Sequence, residues 1–450
     1  MNSIESRPMF SNRALVSLSV PIVIDAVLAI FTGMVDTAMV SSAGEAAVGA
    51  ISLMDQLFLL LVTIFSAIAS GGVVITAQYI GSGDLKKART SANQLLYAST
   101  AIALFILLAA IGFIPQIIRL VYGNLETAVF ENARDYFFYA LLGMPFLAMA
   151  NACTALLRTM QRSKLAMLLA LGANVINIIG NAILIYGFKM GAAGAAIATT
   201  FSRIIWAAVT MYFMHKKSLP VYFEKLLKFR LDFDIMGRVM KIGSANGLES
   251  GLFQVGKLLV ASLISSFGTL AIAANSVANT LCNIGWTIVG SFGTVLLTVV
   301  GQCIGAGEQE QARYYTKKIL RLGHILVFTL FGCVFLLRHQ LVRLFDFGPE
   351  ALELAAYYTG AGAVLTMCAF YGNAFLPVAA FRSAGDVRYA VIMAVSTMFA
   401  FRVGLSYLLN AVTDLGLMCV WLGMFADWCC RGILNTIRFR SGKWLHKRLI

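Results

Sequence analysis

Residues 78–89 read QYIGSGDLKKAR and residues 302–313 read QCIGAGEQEQAR. Gln78, Gly81, Gly83, Ala88 and Arg89 are matched by Gln302, Gly305, Gly307, Ala312 and Arg313, and 224 positions separate each pair, as 81 and 305 show. The same offset joins Gly44 to Gly268, Arg158 to Arg382, Ala166 to Ala390 and Gly180 to Gly404. One register kept over so much chain marks an internal duplication. The protein is two copies of one unit.

What that unit is follows from its composition. Of 450 residues, 59% are hydrophobic and 12% charged, too few charges to clothe a water-soluble surface of this size. A helix needs about 20 apolar residues to cross a bilayer. Runs of that kind predict spans at 13–39, 46–79, 91–114, 130–157, 165–187, 192–214, 236–265, 270–303, 315–337, 352–380, 387–410 and 415–437. The expected fold is an all-α polytopic membrane protein of twelve transmembrane helices. They form a six-helix bundle over 1–214, a cytoplasmic linker over 215–235, and a second bundle with a basic cytoplasmic tail over 236–450. Six spans per copy bring both copies in from the same side, so a pseudo-twofold axis along the membrane normal relates them and a substrate path is expected at their interface.

The net charge of +14 would suit nucleic acid were it gathered on one face. It is instead dealt into alternate connections: Lys86, Lys87 and Arg89; Arg158, Arg162 and Lys164; Lys216 to Arg238; Arg313 to Arg321; Arg438 to Arg448. By the positive-inside rule those connections and both termini are cytoplasmic. No nucleic-acid partner is expected; the lipid bilayer is. The first apolar run carries Asp25 and Asp36 and lacks a cleavage pattern, so it reads as a retained helix. Eight cysteines and four histidines are dispersed without metal-ligand or disulfide spacing, and no GxxxxGK loop is present for ATP. No cofactor and no enzyme activity are expected.

An ionisable residue at the bilayer centre costs about 2.5–3.5 kcal/mol on insertion scales and is a functional candidate by default. Asp36 in the first span stands with Asn177 and Asn181 of the fifth and Thr199 of the sixth; Asp36, Asn181 and Thr199 each lie within about two turns of the extracellular ends of their helices. A carboxylate among amide and hydroxyl oxygens suits H⁺, or Na⁺ held at Asp36, Asn177 and Asn181. At the 224 offset Asp36 becomes Val260, Asn177 Phe401 and Asn181 Leu405, so only the first copy has the pocket. Asp25, by contrast, recurs as Glu249. Two acids at matching depth suit a cationic substrate if they face a cleft, or each is paired inside its own bundle, Glu249 with Lys257 or Arg402. Lys257 and Arg402 admit two readings in turn: partners that keep carboxylates charged, or, if they face the cleft, signs of an anionic or zwitterionic substrate. Asp427 and Arg431, four apart, read as a structural pair. Phe253, Trp286, Phe370, Tyr371 and Phe375 are either packing or the lining of a cleft.

VP and VDTAMV in the first span, AQYIGSGD, NIIGNAILIYG, GAAGAAIATTFSR, GQCIGAGE, FRSAGD and the closing DW with RFRSGKW are similar to the motifs of the multidrug and toxic compound extrusion (MATE) family, in the same order and over almost the whole chain. The resemblance implies a monomeric multi-pass transporter of the prokaryotic plasma (inner) membrane. It would export small amphipathic, often cationic, compounds by antiport with H⁺ or Na⁺, its first helix bending at Pro21. By the same matching Asp36, Asn177, Asn181 and Thr199 fall on the family's first-bundle ion site, and Glu249 on an acid used by some branches. Asp25, Lys257 and Tyr371 join Glu249 as candidate substrate contacts; Tyr371 stands where one branch has Asp, and Asn181 where several members have Asp. A flippase for lipid-linked sugars or polysaccharides is the alternative within transport. A passive channel would lack ion coupling.

Overall fold

The computed structural model describes residues 8–42, 44–123, 125–224, 231–345, 348–447 and 450. Lys225, Lys228 and Arg230 of the basic linker and Arg448 of the tail lie outside the described residues. In chain order the helices are α1 (Asn12–Ser41), α2 (Glu45–Gly81), α3 (Leu85–Ile111), α4 (Ile114–Tyr122), α5 (Thr127–Leu142), α6 (Met144–Thr159), α7 (Ser163–Asn181) and α8 (Gly191–Met214). They continue with α9 (Phe233–Ser265), α10 (Thr269–Gly305), α11 (Gln309–Val342), α12 (Pro349–Cys368), α13 (Tyr371–Ser383), α14 (Val387–Thr397), α15 (Ser406–Val412) and α16 (Met418–Ser441). Wider π-helical turns, Ala182–Gly187 and Met398–Leu405, prolong α7 and join α14 to α15.

Among the described residues nine helices are long and apolar enough to cross a membrane unaided. Two more spans are bent: α5 meets α6 at 47°, and α12 meets α13 at 55°. Their breaks have local causes. Pro145 sits in the first turn of α6, where its missing N–H costs no helical bond. At the second break Phe370 is held in the left-handed region at φ 47°, which ends α12 and redirects the chain. The twelfth span is α16, whose charged residues Asp427 and Arg431 lower its hydropathy and are paired inside the protein. The chain is a twelve-helix membrane protein of two six-helix bundles.

The quoted repeat does the same work twice. Gly83 (φ 80°) and Gly307 (φ 77°) take the left-handed conformation that stops α2 and α10, a conformation that costs other residues about 1–2 kcal/mol. Asp84 then caps α3 by accepting the Lys87 N–H at 3.0 Å. Arg89 donates to the Pro220 carbonyl at 3.3 Å with its guanidinium 4.1 Å from the Tyr222 ring, while Arg313 donates to the Arg440 carbonyl at 3.2 Å, 5.9 Å from the Phe439 ring. Arg89 thus holds the segment just beyond α8, and Arg313 the last turn of α16.

The helices sort into two compact units, Phe10–Ser244 and, with Met1–Met9, Ala245–Ile450. The division falls inside α9. Its first turns belong with α2, because Gly71 and Gly243 let the two backbones touch: a Cβ on Gly71 would lie 2.4 Å from the Val239 carbonyl oxygen. In the first unit Met54, Phe58, Phe65, Phe137, Leu141 and Met144 make a continuous core, and α1 packs on α7. In the second, α10 is surrounded by α11, α12 and α13, and α13 packs on α16. Among the nine unaided spans α1 and α9 are the least enclosed, each 17% buried over its apolar window, which leaves them the freest to bend.

Candidate functional site

The first unit gathers the polar residues of α1, α7 and α8. Asn177 and Asn181, four apart, share one face of α7, and both are buried. Asn181 Nδ2 donates to Asp36 Oδ1 at 3.0 Å. With its amide nitrogen toward the carboxylate, Asn177 donates to Asp36 Oδ1 at 3.0 Å and Oδ2 at 3.2 Å, while its oxygen accepts from Thr199 Oγ1 at 3.1 Å and Thr199 N at 3.3 Å. The four residues singled out in the sequence are therefore one connected cluster. Asn181 Oδ1 is buried and has no hydrogen-bond partner among the described residues. With the Asp36 oxygens it forms a hard-oxygen donor set of the kind Na⁺ or a proton takes.

Next to this cluster lies Asp55, an intramembrane acid legible in the sequence, and the structure adds Tyr136 and Arg203 beside it. Tyr136 Oη of α5 donates to Asp55 Oδ1 of α2 at 3.0 Å, and Arg203 of α8 lies within electrostatic range of both. Asp55 in turn acts electrostatically on Asp36. Arg203 also donates to the Ala140 carbonyl at 3.4 Å. The first unit thus sets Asp55 between Arg203 and Asp36. A signal was present, since an arginine within the sixth span is costly enough to require an acidic neighbour.

Asp25 is ion-paired with Arg158, and Glu249 with Arg382. Both acids and both arginines are related by the 224 offset, so the pair is itself duplicated. Neither Lys257 nor Arg402 is the partner of Glu249. Glu249 and Arg382 line a small cavity of about 330 Å³ with Gly290, Gly293 and Phe375.

Lys257 and Tyr371 line a larger cavity, about 590 Å³, in the second unit, together with Phe253, Asn279, Asn283, Trp286, Phe375, Arg402 and Trp428. Tyr371 stacks on Trp286 at 6.2 Å and 20° and meets Trp428 edge-on at 5.4 Å. Phe375 is 4.5 Å from Tyr371. The aromatic residues are therefore lining as well as packing. Phe253 has three cations round its ring: Arg402 at 5.3 Å, Lys257 at 5.4 Å and Arg431 at 5.7 Å. Pro21 is buried inside α1, where its ring removes the N–H that would bond the Ser17 carbonyl and leaves a weak point in the helix.

Comparison with known proteins agrees with this architecture. The MatE family model matches residues 21–183 and again 247–408, once in each copy. The chain belongs to the MatE family of membrane transporters. It is 27% identical over 98% of its length, and 97% of the relative's, to the uncharacterized transporter YisQ of Bacillus subtilis. To the probable multidrug resistance protein NorM of Thermotoga maritima it is 24% identical over 96% of this chain and 93% of the relative. In fold it is similar, with a TM-score of 0.89 and 20% identity over 97% of each chain, to a solved MOP superfamily transporter from Pyrococcus furiosus, described as having a binding pocket of reverse polarity that suggests a different function.

Proposed function

We propose that this transporter exports small amphipathic organic compounds and is driven by H⁺ or Na⁺ returning through the Asp36 cluster. The observation that carries the reading is the meeting of Asp36, Asn177, Asn181 and Thr199 in the first unit only. Ion binding at Asp36 replaces the amide hydrogen bonds that hold α1 to α7, and so changes a polar link between them. Pro21 is the point at which α1 bends when that link changes. Homologues named for multidrug resistance support compound export. A site of this kind belongs to a multi-pass protein of the prokaryotic inner membrane, with both termini cytoplasmic and the monomer as the working unit.

Substrate contacts are Lys257 and Tyr371 in the larger cavity and Glu249 in the smaller one. A cationic substrate would need Asp25 and Glu249 as open counter-charges, and with each engaged by an arginine that support is reduced. Transport into proteoliposomes under separately imposed pH and Na⁺ gradients, with wild type beside Asp36→Asn, tests the engine. One gradient is expected to drive flux in wild type and neither in the variant. Full coupling in Asp36→Asn would remove the carboxylate from the mechanism.

A further inference from the structure

The second unit mirrors the first with its charges reversed. Arg203 and Asp427 stand 224 positions apart, at the same place in the two copies. Arg203 acts on Asp55, which in turn acts on Asp36; Asp427 pairs with Arg431 and Arg402, and Arg402 in turn acts on Lys257. Asp427 Oδ1 accepts the Arg431 Nε–H at 2.7 Å, and its Oδ2 has no hydrogen-bond partner among the described residues. Arg402 Nε stands 3.6 Å away, at ion-pair but not hydrogen-bond distance. The Arg402 side chain is buried, 7% exposed as a residue, yet its Nε has no hydrogen-bond partner among the described residues. Nor does any described carboxylate come within ion-pairing distance of the Lys257 ammonium, whose near neighbours are Arg402 and the Phe253 ring. Lys257 and Arg402 are the cations that line this cavity, and no carboxylate among the described residues lines it with them.

A guanidinium and an ammonium in a low-dielectric pocket without matching anions are poorly satisfied by aromatic rings alone. The turn that carries Arg402 is itself unusual: it is the π-helical segment Met398–Leu405, a geometry that recurs at functional sites. The remaining wall is apolar and aromatic, and the volume of about 590 Å³ falls in the range for drug-sized ligands.

We propose that this cavity binds amphipathic organic anions, an aromatic body against Trp286, Tyr371 and Trp428 with its carboxylate, sulfonate or phosphate received by Lys257 and Arg402. The proposal deepens the export reading by giving the chemical class of the cargo, and it rests on that reading only for its physiological use. Asn279 and Asn283 supply neutral donors for further oxygens of the head group.

The test is equilibrium binding to the purified full chain without any ion gradient, by titration calorimetry. The probes are 2-naphthoate and 2-naphthylmethylammonium, nearly the same body with opposite charge. Naphthoate is expected to bind at least about tenfold more tightly than the ammonium, to lose about tenfold in Lys257→Gln, and to keep its affinity within about threefold in Lys257→Arg. Lys257 is exposed to the cavity and makes no buried pair, so these variants keep the fold, checked by an unchanged elution profile. Tighter binding of the ammonium, binding of neither probe, or an unchanged naphthoate affinity in Lys257→Gln would each overturn the proposal. Gradient-driven flux in proteoliposomes is read separately. Loss of ion coupling with intact naphthoate binding would overturn the antiport reading alone, and the converse would overturn this one alone.

Discussion

Asp427 of α16 accepts the Nε–H of Arg431, one turn further along the same helix, at 2.7 Å. The carboxylate is fully buried, and Arg431 also donates to the Ala394 carbonyl at 2.9 Å, tying α16 to α14. Removing one partner from a buried charged pair strands the other, at about 3–5 kcal/mol. Asp427→Asn would strand two guanidinium groups, those of Arg431 and Arg402. A large fall in the apparent Tm of the detergent-solubilised variant, with poor yield, is expected. A Tm equal to that of wild type would mean that the two arginines are satisfied without Asp427.

The Asp36 cluster predicts a ranking. Asn181 touches the carboxylate directly and also presents a free oxygen, whereas Thr199 reaches it only through Asn177. A hydrogen bond to a charged group is worth about 1.5–3 kcal/mol, or a factor of roughly 10–100 in affinity. Because ion binding replaces that bond, Asn181→Ala is expected to lower the proton concentration for half-maximal transport by about tenfold in a proton-driven cycle, and Thr199→Val to shift it by less. Ion titration of flux in proteoliposomes decides it. A larger effect for Thr199→Val would place the ion nearer α8 than Asp36.

The duplicated pairs Asp25–Arg158 and Glu249–Arg382 are half-buried and predict rescue by exchange. Asp25→Arg places like charges together and is expected to reduce expression and thermal stability; adding Arg158→Asp is expected to recover most of both. The double-mutant cycle isolates the coupling between them. If the exchanged protein behaves no better than Asp25→Arg alone, the acid has another partner that governs stability.

Much of this was legible before any coordinates. Twelve spans follow from apolar run length alone, and the Asp36, Asn177 and Asn181 cluster follows from helical spacing plus the contrast between the two copies. Less visible were the breaks beside Gly143 and Phe370, because a left-handed phenylalanine leaves no mark in an apolar run. The short α4, capped ahead of Gly123, was hidden for a similar reason: its nine residues join one span to the next without spanning. The partner of Glu249 was recoverable. Asp25 with Glu249, and Arg158 with Arg382, share the 224 offset, and a long arginine side chain at the end of one span can reach an acid on another. Arg203 escaped for want of an alignment of its charge with Asp427.

Two glycine substitutions separate backbone strain from steric conflict. A Cβ on Gly83 would meet nothing within 4 Å, so Gly83→Ala costs only the left-handed conformation, about 1–2 kcal/mol, and Gly83→Asn costs less because asparagine tolerates that region. Gly71→Ala has the opposite problem. Its helical backbone suits alanine, but the new methyl would stand 2.4 Å from the Val239 carbonyl oxygen and 3.0 Å from the Gly243 nitrogen, both backbone atoms that no rotamer can move. Either α2 and α9 separate along their crossing or the variant fails to fold. The expected order of apparent Tm is wild type, Gly83→Asn, Gly83→Ala, then Gly71→Ala well below the rest. Were Gly71→Ala as stable as wild type, the close crossing of α2 and the first turns of α9 would be wrong, and with it the place at which the chain passes from one unit to the other.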